Sequence, residues 1–373
     1  MKLNKLKLIN FRNYKDLDID FDKRLNIFCG KNAQGKTSIL ESIYYLSLLT
    51  SYRTNQDAEL INYNEQGFQI YASYQNNYRE NILKINKNQL NKKRECSIND
   101  IILSNKDYIG EFKVVAFSPE DLDIIKGEPT NRRRFINIQI SRINKYYYTL
   151  LVTFNAILKQ RNKLLRDIRD GVINRNNICI WDVEYAKVAT EIIRIRKDFF
   201  KEFMPISCEF YATLADNNNE VLSCEYKTNC SVEDDGSSNQ QEFLIKLLKD
   251  SLESDIKRGS TGIGPHKDDF TFFITGYDVY KFASQGQQRS IVLSLKLAEI
   301  EYIKIKTNEY PILLLDDVLS ELDVFKKERL ISNIPNTVQV FITVTEKKIL
   351  PDSVFLLDNE LAYYNVKNGM VEL

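Results

Sequence analysis

The sequence predicts an α/β protein: a parallel sheet carrying a phosphate-binding loop, with an inserted, mainly helical second lobe. Three observations predict it. A short apolar run, LNIFC (25–29), leads into GKNAQGKT (30–37) and then into SILESIYYLSLL (38–49), which reads as a helix. A second apolar run, PILLL (311–315), ends in the paired carboxylates Asp316 and Asp317. Between these blocks, apolar residues recur at helical spacing over a long central stretch.

Length and composition set the frame. At roughly 100–200 residues per domain, 373 residues mean about two domains. A hydrophobic content of 43% argues against wholesale disorder. Lys+Arg 52 against Asp+Glu 51 gives +1, so any nucleic-acid contact must come from local basic patches. Six cysteines with no CxxC pair, and a single histidine, His266, argue against a zinc site. The N-terminal MKLNKLKLINFRNYK lacks a continuous apolar run, so it does not read as a secretory signal. Scattered thiols then suit a reducing cytoplasm. No window approaches 18 uncharged apolar residues, so no membrane span is expected.

GKNAQGKT is G-x-x-x-x-G-K-[ST] in the strand–loop–helix setting the motif requires. Gly30 and Gly35 let the backbone wrap a phosphate without Cβ clashes. The N–H groups of Lys31, Asn32, Ala33 and Gln34, with the helix N-terminus, point at the anion. Lys36 reaches the terminal phosphates, and the Thr37 hydroxyl is placed for Mg²⁺. A chance Gly-Lys turn is the plainer reading; the strand, the helix and the full spacing weigh against it.

PILLL reads as a parallel strand buried on both faces. A carboxylate at its C-terminal end faces the ligand crevice. Asp316 is therefore assigned to Mg²⁺, and Asp317 to polarising the attacking water. A strand-end turn is the alternative, but two adjacent carboxylates there are costly without a cation.

FASQGQQRS (282–290) stands at the mouth of another helical stretch, IVLSLKLAEIEYIKI (291–305). Ser284, Gly286 and Gln287 would supply a hydroxyl, small side chains and free N–H groups at a positive helix end. Alone, this is an ordinary N-cap. Together with the P-loop, LLLDD and SELD (320–323), it reads as a second anion site.

Those four motifs, in that order, resemble the ABC-type ATPases. In that class the signature of one subunit closes on the nucleotide held by the P-loop of another. The resemblance implies a head-to-tail, ATP-dependent homodimer, with SELD as the loop crossing its interface. It also implies an ABC-type ATPase head of the SMC/Rad50-like kind: an ATPase lobe over 1–115 plus 305–373, and a helical lobe with the signature over 116–304. The insert is far too short for the long coiled coils of SMC and Rad50. The strand VQVFITVT (338–345) lacks the switch histidine of transporters.

Along nearly the whole chain the sequence resembles the RecF family. The matching blocks are LKLINFRNYKDLDIDF (6–21), LTSYRT (49–54), VVAFSPEDLDIIKGEPTNRRRFIN (114–137), GPHKDD (264–269), FASQGQQRS, LLLDDVLSELD (313–323) and YNVKNGMVEL (364–373). The resemblance implies ATP with Mg²⁺ as cofactors, weak hydrolysis used as a switch, and ATP-dependent binding to gapped or double-stranded DNA with little sequence preference. It further implies work with RecR and RecO to load RecA at single-strand gaps, in recombinational repair, replication restart and the SOS response. Arg12 resembles the arginine that flanks nucleotide in SMC-like heads, and Arg53 one that senses DNA. Asp317 stands where many ABC ATPases have Glu, which suits a slow switch. FSPEDL has no glutamine where ABC proteins carry a Q-loop; Ser118 and Glu120 are its nearest polar candidates. Lys267 stands where Arg is expected, which keeps the charge and loses a bidentate fork.

In the insert, Tyr147, Leu151, Phe154, Leu158 and Leu165 form one apolar seam, and Tyr185, Ala189, Ile192, Ile193, Phe200 and Phe203 a second. This predicts two antiparallel helices of about 25 residues, roughly 37 Å long, joined near 171–180 and ended by Met204-Pro205. NNN (217–219) and EDDGSS (233–238) read as loops, and 241–259 as an amphipathic helix stopped by Gly259. His266 reads as a turn or hydrogen-bond anchor rather than a catalytic group. Arg132, Arg133 and Arg134 fit DNA phosphates, but a solvated helix face or intramolecular ion pairs fit them at least as well; the basic run 87–94 reads as a hairpin loop, with DNA contact as the alternative. Two other functions remain open: a different SMC-like head ATPase, such as a phage-defence ATPase with a nuclease partner, and a scaffold that binds ATP without turnover.

Overall fold

The computed structural model describes the chain except residues 55, 89–93, 216–218, 231–239, 356–357 and 373. The loop EDDGSS, most of NNN and the middle of the basic run 87–94 lie outside the described residues. The chain divides into two compact units. One comprises Met1–Leu122, Ile206–Glu220 and Ser284–Leu373; the other comprises Asp123–Pro205 and Val221–Ala283.

The first unit holds a six-stranded sheet in the order Met370–Glu372, Leu361–Lys367, Leu25–Cys29, Val340–Val344, Ile312–Asp316, Val114–Phe117. All neighbours are parallel except the terminal hairpin. The apolar runs LNIFC, ILLLD, VFITV and VVAF are buried nearly throughout, because helices cover a parallel sheet on both faces. The P-loop helix Lys36–Leu48 and the signature helix Gln285–Thr307 both pack on Val114–Phe117. Register pairs Asp316 with Thr343, and Val344 with Cys29. The residues that follow these strands therefore emerge level at one carboxyl edge.

A second, antiparallel sheet of this unit runs Tyr14–Asp20, Lys2–Phe11, Gly67–Gln75, Glu80–Asn88, Glu95–Ile98, Ile101–Leu103. The hairpin between its first two strands carries Arg12 at positive φ (52°).

The lobe boundaries expected from sequence need correction. The signature helix falls wholly in the unit of the P-loop, not in the helical lobe. The reason is its apolar face: Ile291, Leu295 and Ala298 are fully buried and could not remain so away from the parallel sheet.

The second unit is mainly helical, with a small antiparallel sheet, Tyr277–Asp278, Asp269–Ile274, Leu222–Lys227, that was not anticipated. Its long helices are Lys145–Arg169 and Cys179–Leu214, the residues of the latter after Pro205 being counted with the first unit. Contacts of Tyr147 with Arg196, Phe154 with Tyr185 and Arg161 with Asp182 run in antiparallel order. The second helix does not stop at Pro205. Pro205 lies on its exposed face, while Ser207, Tyr211 and Leu214 continue the buried stripe.

The first seam also shifts. Leu150 and Ile157 are buried where Leu151 and Leu158 are only half-buried, and Arg161 is fully buried at its centre. Arg161 binds Asp182 (2.8 Å), Asp255 (3.0 Å) and Thr261 (2.8 Å). The stretch 241–259 is two helices, Gln240–Asp250 and Leu252–Arg258, broken at Ser251, and Gly259 caps the second at φ 68°.

The basic candidates of this unit are engaged internally. Arg132 forks onto Asp269 (2.6 and 2.9 Å), and Arg133 donates to the Asp268 carbonyl (2.9 Å). His266 is held through Nδ1 by Tyr185 (3.2 Å) and through Nε2 by the Thr261 carbonyl (2.9 Å), and burial lowers its pKa. That is an anchor's environment. In the first unit, Arg94 lies over the Tyr45 ring and donates to its hydroxyl at 2.8 Å.

Candidate nucleotide-binding site

The P-loop turns from its strand to its helix through two backbone positions that exclude side chains. A Cβ on Gly30 would collide with the Val366 carbonyl oxygen. Gly35 has φ 115°, and a Cβ there would stand 2.6 Å from both Asn13 Nδ2 and the Tyr14 hydroxyl. Ala33 also takes positive φ (64°). The loop borders an open cavity of about 650 Å³ lined by Arg12, Asn32, Ala33, Gly35, Lys36, Thr37, Arg53 and Asp317, with Ile61 and Tyr63 adding apolar surface.

Lys36 Nζ donates to the carbonyls of Gly30 (2.5 Å) and Lys31 (2.9 Å). Burial lowers its pKa, and the charges of Asp317 and Asp316 oppose that shift. Gln34 turns away from the cavity, its Oε1 accepting the Asn368 N–H at 2.6 Å.

Asp316 is almost fully buried and collects three hydroxyls. Thr37 (3.0 Å) and Thr343 (2.9 Å) donate to Oδ1, and Tyr52 (2.9 Å) donates to Oδ2. Burial raises its pKa against the lowering effect of those three hydrogen bonds. Asp317 follows at φ 56°, its N–H donating to Thr343 Oγ1 (2.8 Å) and its Oδ1 accepting from Ser320 (3.1 Å). Its carboxylate lines the cavity; Asp316 lies behind Thr37. Thr37 and Asp316 are adjacent hard oxygen donors. They fit Mg²⁺, which takes one or two protein oxygens and completes its shell with phosphate and water.

Arg12 is fixed by a buried acid that sequence reasoning missed. Its Nε and Nη2 bind the two Glu41 oxygens at 2.9 and 2.7 Å, and its Nη1 binds the Glu59 carbonyl at 2.8 Å. Glu41 also accepts Ser51 Oγ (2.5 Å) and pairs with Arg53 (3.7 Å). An acid inside the apolar helix SILESIYYL was the available signal. Tyr52 was missed as well, although it stands inside the LTSYRT block.

Ser284 caps the signature helix in a capping box. Its Oγ accepts the Gln287 N–H (3.2 Å), and its own N–H donates to Gln287 Oε1 (2.8 Å). Gln287 Nε2 also binds Glu220 (2.9 Å). The Gly286 carbonyl accepts Lys326 Nζ (3.3 Å), and Arg289 ties the helix to Glu321 of SELD (2.7 and 3.2 Å). Ser284, Gly286 and Gln287 do not line the P-loop cavity of their own chain. In FSPEDL, Ser118 faces Asp121, which holds the buried Lys296 of the signature helix at 2.8 Å, while Glu120 is close enough to raise Asp316.

A P-loop, a carboxylate-ended strand one place removed from the P-loop strand in the same parallel sheet, and a capped signature helix in one unit define a P-loop ATPase head of the ABC/SMC class. The profile of the RecF/RecN/SMC N-terminal domain family matches residues 2–371. The DNA replication and repair protein RecF of Lysinibacillus sphaericus is 40% identical over 376 residues, spanning 100% of both chains. The protein of the same name from Streptococcus suis is 41% identical over 372 residues, covering 100% of this chain and 99% of its own. The solved recombination mediator protein RecF-ATP of the RecFOR pathway superposes with a TM-score of 0.90 at 32% identity, over 100% of this chain and 97% of that one. An SMC head from Pyrococcus furiosus, at 13% identity and a TM-score of 0.53, covers 100% of this chain and 95% of its own and shares the fold alone. The chain belongs to the RecF family.

Proposed function

We propose that this chain is an ATP-gated DNA-binding protein of recombinational gap repair and replication restart, and a weak ABC-type ATPase that uses ATP as a switch. ATP would lie in the P-loop cavity, with Lys36 and the loop N–H groups on its phosphates and Arg12 beside them. Thr37 and Asp316 would hold Mg²⁺, which when bound neutralises charge developing on the phosphates. Asp317 would orient the attacking water. Its fixed backbone and short side chain suit slow turnover.

Ser284, Gly286 and Gln287 would complete the site of a second copy. One observation carries this reading: the signature helix is closed by a capping box, yet its N-terminal residues are absent from the walls of their own chain's cavity. Closure of two copies on ATP would align their basic surfaces on duplex DNA beside a single-strand gap. There the dimer would recruit RecR and, with RecO, help load RecA. Among the described residues no helix is long and apolar enough to cross a membrane, and the work proposed belongs in the cytoplasm.

The test is equilibrium binding to gapped, blunt and single-stranded DNA, with and without ATP, at fixed salt. Tighter binding to gapped or double-stranded DNA only with ATP is expected; nucleotide-independent binding would sink the gated reading.

A further inference from the structure

Three consecutive residues after the P-loop helix point to three parts of the site. Ser51 Oγ donates to Glu41 and accepts the N–H groups of Arg53 (2.9 Å) and Thr54 (3.2 Å), which fixes the loop on the P-loop helix. Arg53 lines the cavity. Tyr52 turns the other way: its ring packs edge-on against Tyr44 at 5.2 Å, and its hydroxyl donates to Asp316 Oδ2 at 2.9 Å.

The hydrogen bonds on Asp316 are unevenly shared. Oδ1 receives Thr37 and Thr343; Oδ2 receives Tyr52. Thr37 is itself assigned to the metal. That leaves one fixed donor on each oxygen, Thr343 on Oδ1 and Tyr52 on Oδ2. Two donors on different oxygens stop the carboxylate from rotating, whereas two on one oxygen leave the other free to swing.

We propose that Tyr52 is a positioning residue for the metal-binding carboxylate of Asp316, holding Oδ2 so that Oδ1 and Thr37 present one oxygen face to the cation. This rests on the nucleotide-site reading above. It adds to the P-loop and the strand-end acid a third element, the LTSYRT loop, on which metal loading depends. Partners of ligating carboxylates typically contribute about 10–100-fold to metal affinity.

The test is Tyr52→Phe in the full chain, which keeps the ring and its contact with Tyr44. Mn²⁺ is titrated by electron paramagnetic resonance in the presence of a non-hydrolysable ATP analogue. Affinity for the analogue without metal is measured in parallel. Expected is a loss of about 10-fold or more in Mn²⁺ affinity, with metal-free affinity for the analogue within about twofold of the parent. An unchanged Mn²⁺ affinity would overturn the proposal. So would equal losses of both affinities, which would mean that Tyr52 merely supports the loop. A parent chain that bound no nucleotide would sink the functional reading itself, and this proposal with it. If the parent binds normally, a failure of Tyr52→Phe to lose Mn²⁺ affinity overturns the positioning role alone.

Discussion

Thr343 holds Asp316: its Oγ1–H donates to Asp316 Oδ1 at 2.9 Å, and Thr343 Oγ1 itself accepts the Asp317 N–H at 2.8 Å. Strand register makes this possible, because Asp316 and Thr343 are direct partners across the parallel pair. One hydroxyl thus fixes both carboxyl-bearing residues. Thr343→Val keeps the shape and leaves two polar groups unmatched, a cost of about 1–3 kcal/mol. We expect a lower unfolding midpoint and slower turnover, with metal-free ATP binding retained. Thr343→Ser should restore most of the rate. Parent-like turnover in the valine variant would show that the hydroxyl does not order the acids.

Lys36 and Asp317 border the same cavity, and the proposed function gives them separable tasks. Lys36→Ala removes the cation proposed to meet the phosphates and should weaken ATP binding. Asp317→Asn keeps size and backbone, so binding should survive while single-turnover hydrolysis falls by at least about 100-fold. Equilibrium binding and a single-turnover assay on both variants separate the roles. If Asp317→Asn hydrolyses at the parent rate, another group positions the water.

Ser284 is exposed at the tip of the signature helix. Ser284→Arg adds bulk and charge where a second copy's phosphate would dock, and it removes the cap. ATP binding by the monomer should change little, whereas ATP-dependent dimerisation should vanish in sedimentation velocity. A variant that still dimerises on ATP would return this segment to a simple helix cap.

Arg161 marks where sequence legibility stopped. The P-loop strand, the strand ending in Asp316, the signature helix and the stripe from Tyr185 to Phe203 were readable, because each obeys a local rule of spacing or burial. Arg161 was not, because a charged residue at a seam position reads as a solvated gap. Its burial depends on Asp182 and Asp255, whose distance along the chain hides the pairing. Glu41 and Tyr52 were missed for the same reason: their partners are remote in sequence. The antiparallel sheet of 2–103 lay in stretches rich in Lys, Asn and Asp that mask alternation. Arg161→Met should cost about 3–5 kcal/mol, because it strands two buried carboxylates. Chemical denaturation of the full chain measures this. A loss within experimental error would mean that water reaches the site.

The +1 net charge means that a single copy should hold DNA weakly. Arg132 and Arg133 already bind Asp269 and the Asp268 carbonyl, and Arg94 donates to Tyr45, so these cations offer little to phosphates in the arrangement seen here. Closure of two copies would double and align whatever basic surface remains. Affinity for duplex DNA beside a gap should therefore rise only when both Lys36 and Ser284 are intact, and it should fall steeply with salt, as phosphate contacts do. Sequence preference should be small. The biological readout is RecA loading onto gapped DNA coated with single-strand-binding protein, with RecR and RecO present throughout. The parent should accelerate loading, and Lys36→Ala and Ser284→Arg should not. Equal loading by all three would mean that nucleotide-gated closure is not the signal, and that the chain serves the gap as a passive platform.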